Sequence, residues 1–473
     1  MSDYDGTILF KEWLPDLPDL NNPGMTQAQN VIPMSGGYAS YAPLSTTLNA
    51  LGSNVRHAMR ASDGSGDWLY VGISNASAGA LYRGSASAGS WSLVSASTFA
   101  ATGIWDMVQY EGEVIATNGS DLPVYQSLGS ASNFATLGST AGTAPEARKI
   151  GVIGQFIVLG NIPLSSTQYA VRWSGIDSPH SYPTPGSDTA IAMQSGEQLL
   201  PAELGAVTGI FGGDQFGLVF QSGGITRMTY IGGGAVFQFE TIDKGNGCAF
   251  LNGAVKVGTL VYFVSAKGFF VTDGVQVVPI GSGKVNEYFL SRVDFSLATN
   301  VIAGVDWRRK LILWTFPAVA DSGNPSSALV YHYEEKRWSL VVDTIRFFVR
   351  GTEAKFQTYG LEAFGNDNKL GRFTGTPGNA VIATAELEPN PGGFACEFGI
   401  KPLVDQANVT VAMRTRDTQS AALTTTAEIT ANARSGFSNF RAEARYHRAR
   451  LTIAGTFNAA QGVEYQASAA GYT

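Results

Sequence analysis

One unit recurs along most of this 473-residue chain: a short run of β-branched and aromatic residues, a turn centred on glycine, a second such run, then a looser loop. Trp68-Leu69-Tyr70-Val71-Gly72 is followed by Ala80-Leu81-Tyr82-Arg83-Gly84, and Phe216-Gly217-Leu218-Val219-Phe220 by Ile225-Thr226-Arg227-Met228-Thr229-Tyr230. About seven copies fall between residues 51 and 375, spaced near forty to fifty residues, the length that four antiparallel strands of a propeller blade occupy. A small twisted sheet cannot bury both faces alone, so blades stack radially and the ring closes. Composition agrees. Only 15% of residues are charged, where an ordinary soluble domain has about a quarter, while 56 glycines and 11% aromatics leave little material for long surface helices. The chain is expected to be all-β: a propeller of about seven blades, six to eight, over residues 51–375.

Two flanking regions break the rhythm. Residues 1–50 read as an extended arm with the first strands. Trp13-Leu14-Pro15-Asp16-Leu17-Pro18-Asp19-Leu20 can neither continue a helix nor pair as an inner strand, so Trp13, Leu14, Leu17 and Leu20 are expected to lie in a groove, on this chain or on a neighbour. Deleting residues 1–20 is expected to weaken assembly more than folding. Residues 376–473 read as a small β-sandwich, strands broken by polar loops.

Charge and cysteine content exclude several classes. The net charge of −7 argues against a general nucleic-acid binder, which needs excess Lys and Arg to displace counterions. From Thr376 onward eight basic residues balance eight acidic ones, whereas the first thirty residues carry Asp3, Asp5, Glu12, Asp16 and Asp19 against Lys11. No apolar run approaches a membrane span, and the opening decapeptide has no secretory pattern, so a cytoplasm-like compartment is expected. Cys248 and Cys396 build neither a disulfide framework nor a zinc cage and are read as small buried apolar residues.

Signatures of catalysis are weak, and no cofactor or metal is expected. His57, His180, His332 and His447 are far apart, and no Gly-x-Ser-x-Gly elbow occurs. Gly281-Ser282-Gly283-Lys284-Val285 resembles the tail of a phosphate-binding loop, but Val278 stands where its first Gly belongs and Val285 where its Ser or Thr belongs. Asp63-Gly64-Ser65-Gly66-Asp67 alternates oxygen side chains as calcium loops do, without the Glu at position twelve, where Ser74 stands. The densest basic run is Arg441, Arg445, His447, Arg448 and Arg450. In a strand Arg448 and Arg450 share a face, which makes them candidates to meet phosphates or an acidic partner, or a solvated face balanced by Glu443.

The phrases Phe10-Lys11-Glu12-Trp13-Leu14-Pro15-Asp16-Leu17-Pro18-Asp19, Asn30-Val31-Ile32-Pro33, Val171-Arg172-Trp173-Ser174-Gly175 and Gly283-Lys284-Val285-Asn286-Glu287-Tyr288-Phe289 resemble structural proteins of tailed bacteriophages. The family they suggest is that of the tail nozzle, packaged-DNA stabilisation or tail tubular proteins of short-tailed phages. That resemblance implies a propeller-based virion protein without enzymatic activity, assembled in the host cytoplasm into a ring of six below portal and adaptor. The ring would extend the DNA channel, retain the packaged genome and permit its ejection. The double-stranded DNA would pass without sequence-specific binding. Alternatives are a receptor- or glycan-binding propeller on the virion exterior, with aromatic pockets repeated per blade, and a polysaccharide hydrolase with convergent carboxylates.

Overall fold

The structure is a computed structural model that describes residues 3–471 apart from 48, 86–89, 97, 102, 139, 164–166, 320, 322 and 352–359. It is a β-propeller joined to a β-sandwich. Five four-stranded sheets, blades 1 to 5, lie at 54–93, 106–136, 149–199, 207–244 and 254–279, each pairing its strands in chain order. Blade 6 is the meander 302–342, whose last strand runs on into a ten-stranded sheet. Blade 7 takes three strands from Ile345–Phe348, Glu362–Gly365 and Leu370–Arg372, and its fourth is Ser45–Thr46, from before blade 1. Six sheets thus stand free and the seventh is shared, within the expected range. The borrowed strand clasps the beginning of the ring to its end.

The first strand of each blade is the innermost. These strands meet their neighbours from blade 1 through blade 4 and from blade 5 through blade 7 back to blade 1. Blades 4 and 5 join through Leu218, Phe220, Ala254 and Phe263. Strands such as Phe156–Ile162 and Leu311–Phe316 are buried along their whole length because both sheet faces are covered. Glycine makes the stacking tight. A Cβ at Gly72 would stand 2.4 Å from the Trp105 ring of blade 2, and one at Gly304 would stand 2.3 Å from the Phe348 ring of blade 7.

The sandwich has one sheet built on Phe394–Val404, Ser438–Ala444 and Ala460–Gly471, and another on Ala380–Ala383, Val409–Arg416 and Tyr446–Ile453. Ile400, Phe440 and Val463 face Val411, Met413 and Leu451 between them. The first fifty residues contribute five short strands. Asp3–Leu9 pairs antiparallel with 462–468, the hairpin 31–40 joins the same sheet at Tyr38–Ala460, and Gln27–Gln29 lies between Ala380–Ala383 and blade 6, meeting the latter at Leu340. One sheet therefore runs from propeller to sandwich. One apolar cluster does too, containing Phe269, Trp314 and Trp338 of the propeller with Val411 and Leu451 of the sandwich.

Candidate functional site: a domain joint and a filled axis

Residues 10–26 thread between propeller and sandwich. Trp13 is 2% exposed, its ring edge-on to Tyr288 at 5.0 Å, and Leu14 is buried beside it. An aspartate that helps exclude a helix here caps another one instead. Asp16 caps the short helix Asn286–Leu290, its two carboxylate oxygens accepting from the backbone N–H groups of Glu287 (2.9 Å) and Tyr288 (2.8 Å). Glu12 pairs with Lys284 Nζ at 2.9 Å, and burial nevertheless raises its pKa above the usual carboxylate value. Arg337 of blade 6 donates to the carbonyls of Phe10, Lys11 and Met34 and stacks over Tyr38 at 4.9 Å. On the sandwich side, Glu386 exchanges backbone hydrogen bonds with Asp19 and Asn21, and its buried carboxylate is gripped by Arg416 through Nε at 2.7 Å and Nη2 at 2.5 Å.

The candidate interface residues are thus largely spent inside the chain. Trp13 and Leu14 fill its own core, Leu17 and Leu20 are half-buried, and Leu20 bridges to Glu386. Arg448 is 7% exposed and pairs with Asp19 at 2.8 Å, while Arg450 pairs with Glu428 at 2.9 Å. Trp13, Leu14 and Arg448 therefore offer no free surface to a partner. An arm of alternating apolar residues and prolines needs a groove, and this chain supplies one between its two domains. Deletion of residues 1–20 is accordingly expected to damage the fold itself, a correction of the sequence expectation. The joint also unites two separate phrases of the sequence, since Glu12, Trp13 and Asp16 meet Lys284, Tyr288 and Glu287.

The second unusual place is the propeller axis. His57 of blade 1, Asp106 of blade 2, Lys149 of blade 3, Cys248 and Asn252 before blade 5, and Arg350 after the first strand of blade 7 converge there, as residues from five blades can only do at the centre. Asp106 lies 3.5 Å from His57 Nδ1 and 3.3 Å from Lys149 Nζ, and Arg350 Nη2 donates to Asn252 Oδ1 at 3.4 Å. All but Arg350 are almost fully buried. Burial drives the His57 pKa down to about 3, so this imidazole is neutral. Burial also lowers Lys149, and it pushes the Cys248 thiol up to about 11. Burial alone would raise Asp106, but the charges of Lys149 and Arg350 and the backbone N–H of Ile150 outweigh it and hold the carboxyl below its ordinary value. Sequence reasoning passed over this cluster. The available signal was a charge at the first position of an apolar inner strand, as at Asp106 and Lys149.

The other motifs are structural. Asp63 Oδ1 accepts from Ser65 N at 2.7 Å, closing a hairpin turn, and Gly281 O collects the N–H groups of Lys284, Val285 and Asn286, closing another. His180 pairs with Glu113, His447 Nε2 meets Ala442 O, and His332 Nδ1 accepts from Glu335 N. Both cysteines are free, Cys248 buried and Cys396 only half-buried, the latter differing from the buried position expected. Among the described residues no group of three or more His, Cys, Asp or Glu could hold a metal ion, and no helix is long and apolar enough to cross a membrane. A cleft of about 680 Å³ opens between blade 6 and the sandwich, lined by Met34, Arg309, His332, Thr376 and Phe457. The imidazole of His332 there accepts through Nδ1 from Glu335 N.

The architecture defines a β-propeller protein with an appended sandwich. Comparison with known proteins adds little. No family model and no curated protein matches the sequence. Among solved structures, the computationally designed Ika8 protein superposes with a TM-score of 0.39 at 9% identity, covering 70% of this chain and 98% of its own. A chain of the mitotic checkpoint complex superposes with a TM-score of 0.42 at 12% identity, covering 69% and 95%.

Proposed function

We propose that this protein is a structural component of a phage virion, a tail nozzle or hub subunit. Copies of it form a ring that continues the DNA channel below portal and adaptor, retains the packaged genome and lets it leave. The observation that carries this reading is the filled axis. Each propeller is a solid block, closed at its centre by Asp106, Lys149, His57 and Asn252, so a passage for duplex DNA would have to form between copies. The sheet shared by propeller and sandwich makes that block rigid, as a ring subunit requires. Apolar side chains exposed at the ends of blades 3 to 5, Ile191 at 60%, Ile231 at 54% and Val275 at 69%, would serve for docking a second copy. Tyr230 Oη links blade 4 to Gln194 Oε1 of blade 3 at 2.8 Å. The net charge of −7 suits a lumen that does not grip phosphates.

Native mass spectrometry and electron microscopy of the purified chain, alone and with portal and adaptor, test the proposal. A ring of about six copies, as the family resemblance implies, is expected, and Ile231→Asp should dissolve it while leaving the circular dichroism spectrum unchanged. A protein that stays monomeric at tens of micromolar in both settings overturns the reading.

A further inference from the structure

Where arm, propeller and sandwich meet, a pocket of about 210 Å³ stays open. It is lined by Trp13 of the arm, Tyr288 of the propeller, Gln27 and Gln29 of the strand between the domains, and Arg414 and Arg448 of the sandwich. The sheet register explains why charge collects there. Val411, Met413 and Leu451 face the sandwich core, so the alternate positions turn outward. Arg414 stands directly opposite Arg448 on the neighbouring strand, and Arg450 lies two residues further on the same face. Like charges opposite each other across a ladder destabilise it unless something compensates them.

That compensation is incomplete. Arg448 is committed to Asp19 and Arg450 to Glu428, and Arg416 on the same face holds Glu386. Asp16 is engaged on the helix Asn286–Leu290, and Glu12 on Lys284. Arg414 makes no ion pair and no hydrogen bond among the described residues, which include every residue of the bordering segments 13–29, 283–292, 380–387, 409–416 and 446–453. Its Nε is sealed off, whereas its two Nη nitrogens keep exposed surface. Burial, and after it the charges of Arg448 and Arg450, lower its pKa, with Asp19 acting against them. Two neutral donors accompany it. Gln27 Nε2 gives a hydrogen to Gln29 Oε1 at 3.3 Å, and the Gln29 Nε2 hydrogens have no acceptor among the described residues. The Tyr288 hydroxyl has none either, and burial raises its pKa, so it carries its proton. Both atoms keep exposed surface.

A guanidinium, an amide and a hydroxyl thus reach one pocket from three separate segments. A carboxylate presents two oxygens in one plane, whereas a phosphoryl group presents three in a tetrahedral fan, which suits donors on three sides. Arginine is a favoured partner of such groups. The volume is that of about seven water molecules in the liquid, room for a phosphoryl group and a few further atoms. We propose that this pocket binds one phosphoryl group, as the free ion or a small monoester, its oxygens accepting from Arg414, Gln29 and Tyr288 in the field of Arg448. The bound group supplies the missing counter-charge and ties sandwich to propeller.

Calorimetric titration of the full chain at constant ionic strength, with inorganic phosphate, glycerol phosphate and acetate, tests this. At least one of the two phosphates should bind with a Kd below about 1 mM, the tighter naming the source, and acetate at least about 10-fold more weakly. Arg414→Gln should abolish binding. Without phosphate that variant should melt no lower than the unaltered chain, because it relieves the opposition to Arg448, and it should lose the rise in melting temperature that about 10 mM phosphate otherwise gives. Tyr288→Phe keeps the ring against Trp13, drops the hydroxyl and should weaken binding about 10-fold. Absence of binding by both phosphates, acetate binding as tightly as phosphate, or unaltered affinity in Arg414→Gln overturns the proposal. The reading as a ring component is measured by copy number and stands or falls separately.

Discussion

The axis and the joint both hold ion pairs, yet the same kind of bond does different work in each. At the axis, Asp106 answers Lys149, with neutral His57 beside it, where water is excluded, so this carboxylate compensates a charge that cannot be hydrated. At the joint, the Lys284 and Glu12 side chains are 32% and 21% exposed, and the Asp19 side chain facing Arg448 is 40% exposed. Water there can take over from Lys284, Glu12 and Asp19, though not from Arg448 or from the buried carboxylate of Glu386 that Arg416 holds. Breaking a buried pair by removing one member costs roughly 3–5 kcal/mol, and an exposed pair is worth about 1 kcal/mol or less. The joint accordingly draws its strength from Trp13, Phe10 and the shared sheet, with its charges setting register.

The sharpest way to break this contrast is Asp106→Ala. It strands Lys149 and should lower unfolding free energy by about 3–5 kcal/mol in urea titrations, while the double change Asp106→Ala with Lys149→Met should recover most of that loss. A double variant no more stable than the single one would show that the axis is not governed by charge compensation. Next in size, Trp13→Ala should cost about 3 kcal/mol by emptying the space beside Tyr288, and limited proteolysis should then cut the first thirty residues before the blades. Uniform protection of the arm in that variant would separate it from the joint.

Acidification sharpens the comparison further. Native His57 stays neutral down to about pH 3, while the unfolded chain takes up its proton near pH 6.5, so the unfolded state binds more protons between those values. Stability from this group is complete above that range and falls as pH drops through it, by about 1.4 kcal/mol per pH unit. Asp106, depressed below its ordinary value, adds a further loss once the pH falls below about 3.8. Denaturation midpoints of His57→Gln should lose most of the slope between about pH 6 and pH 4, whereas Glu12→Gln at the joint should leave it in place. The smallest effects belong to the sandwich arginines. Arg448→Ala should cost about 1 kcal/mol and Arg450→Ala about 0.5 kcal/mol or less, because Glu428 opposite Arg450 is exposed.

Much of the ring could be read from residues alone. Alternating apolar runs split by glycine, as at Trp68 to Gly84, leave a chain few options other than small twisted sheets that stack. Residues 13–20 were equally explicit about needing a groove, because proline and aspartate deny them a ladder of their own. Other features had no local signal. Ser45–Thr46 is two ordinary residues, and only ring closure against Gly371 and Arg372 makes them a strand. Nor could periodicity show whether the groove for Trp13 belonged to this chain or to a neighbour, since burial looks the same from the side of the buried residue.

What the sequence determined by itself is therefore the local geometry: strands, turns, the avoidance of helix, and glycines such as Gly72 where a large ring must lie flat. What only the tertiary structure decided is which distant charges meet. His57, Asp106, Lys149 and Arg350 are separated by tens to hundreds of residues and follow no shared period. Their encounter depends on seven blades closing a circle, and their protonation depends on the exclusion of water that this closure brings about.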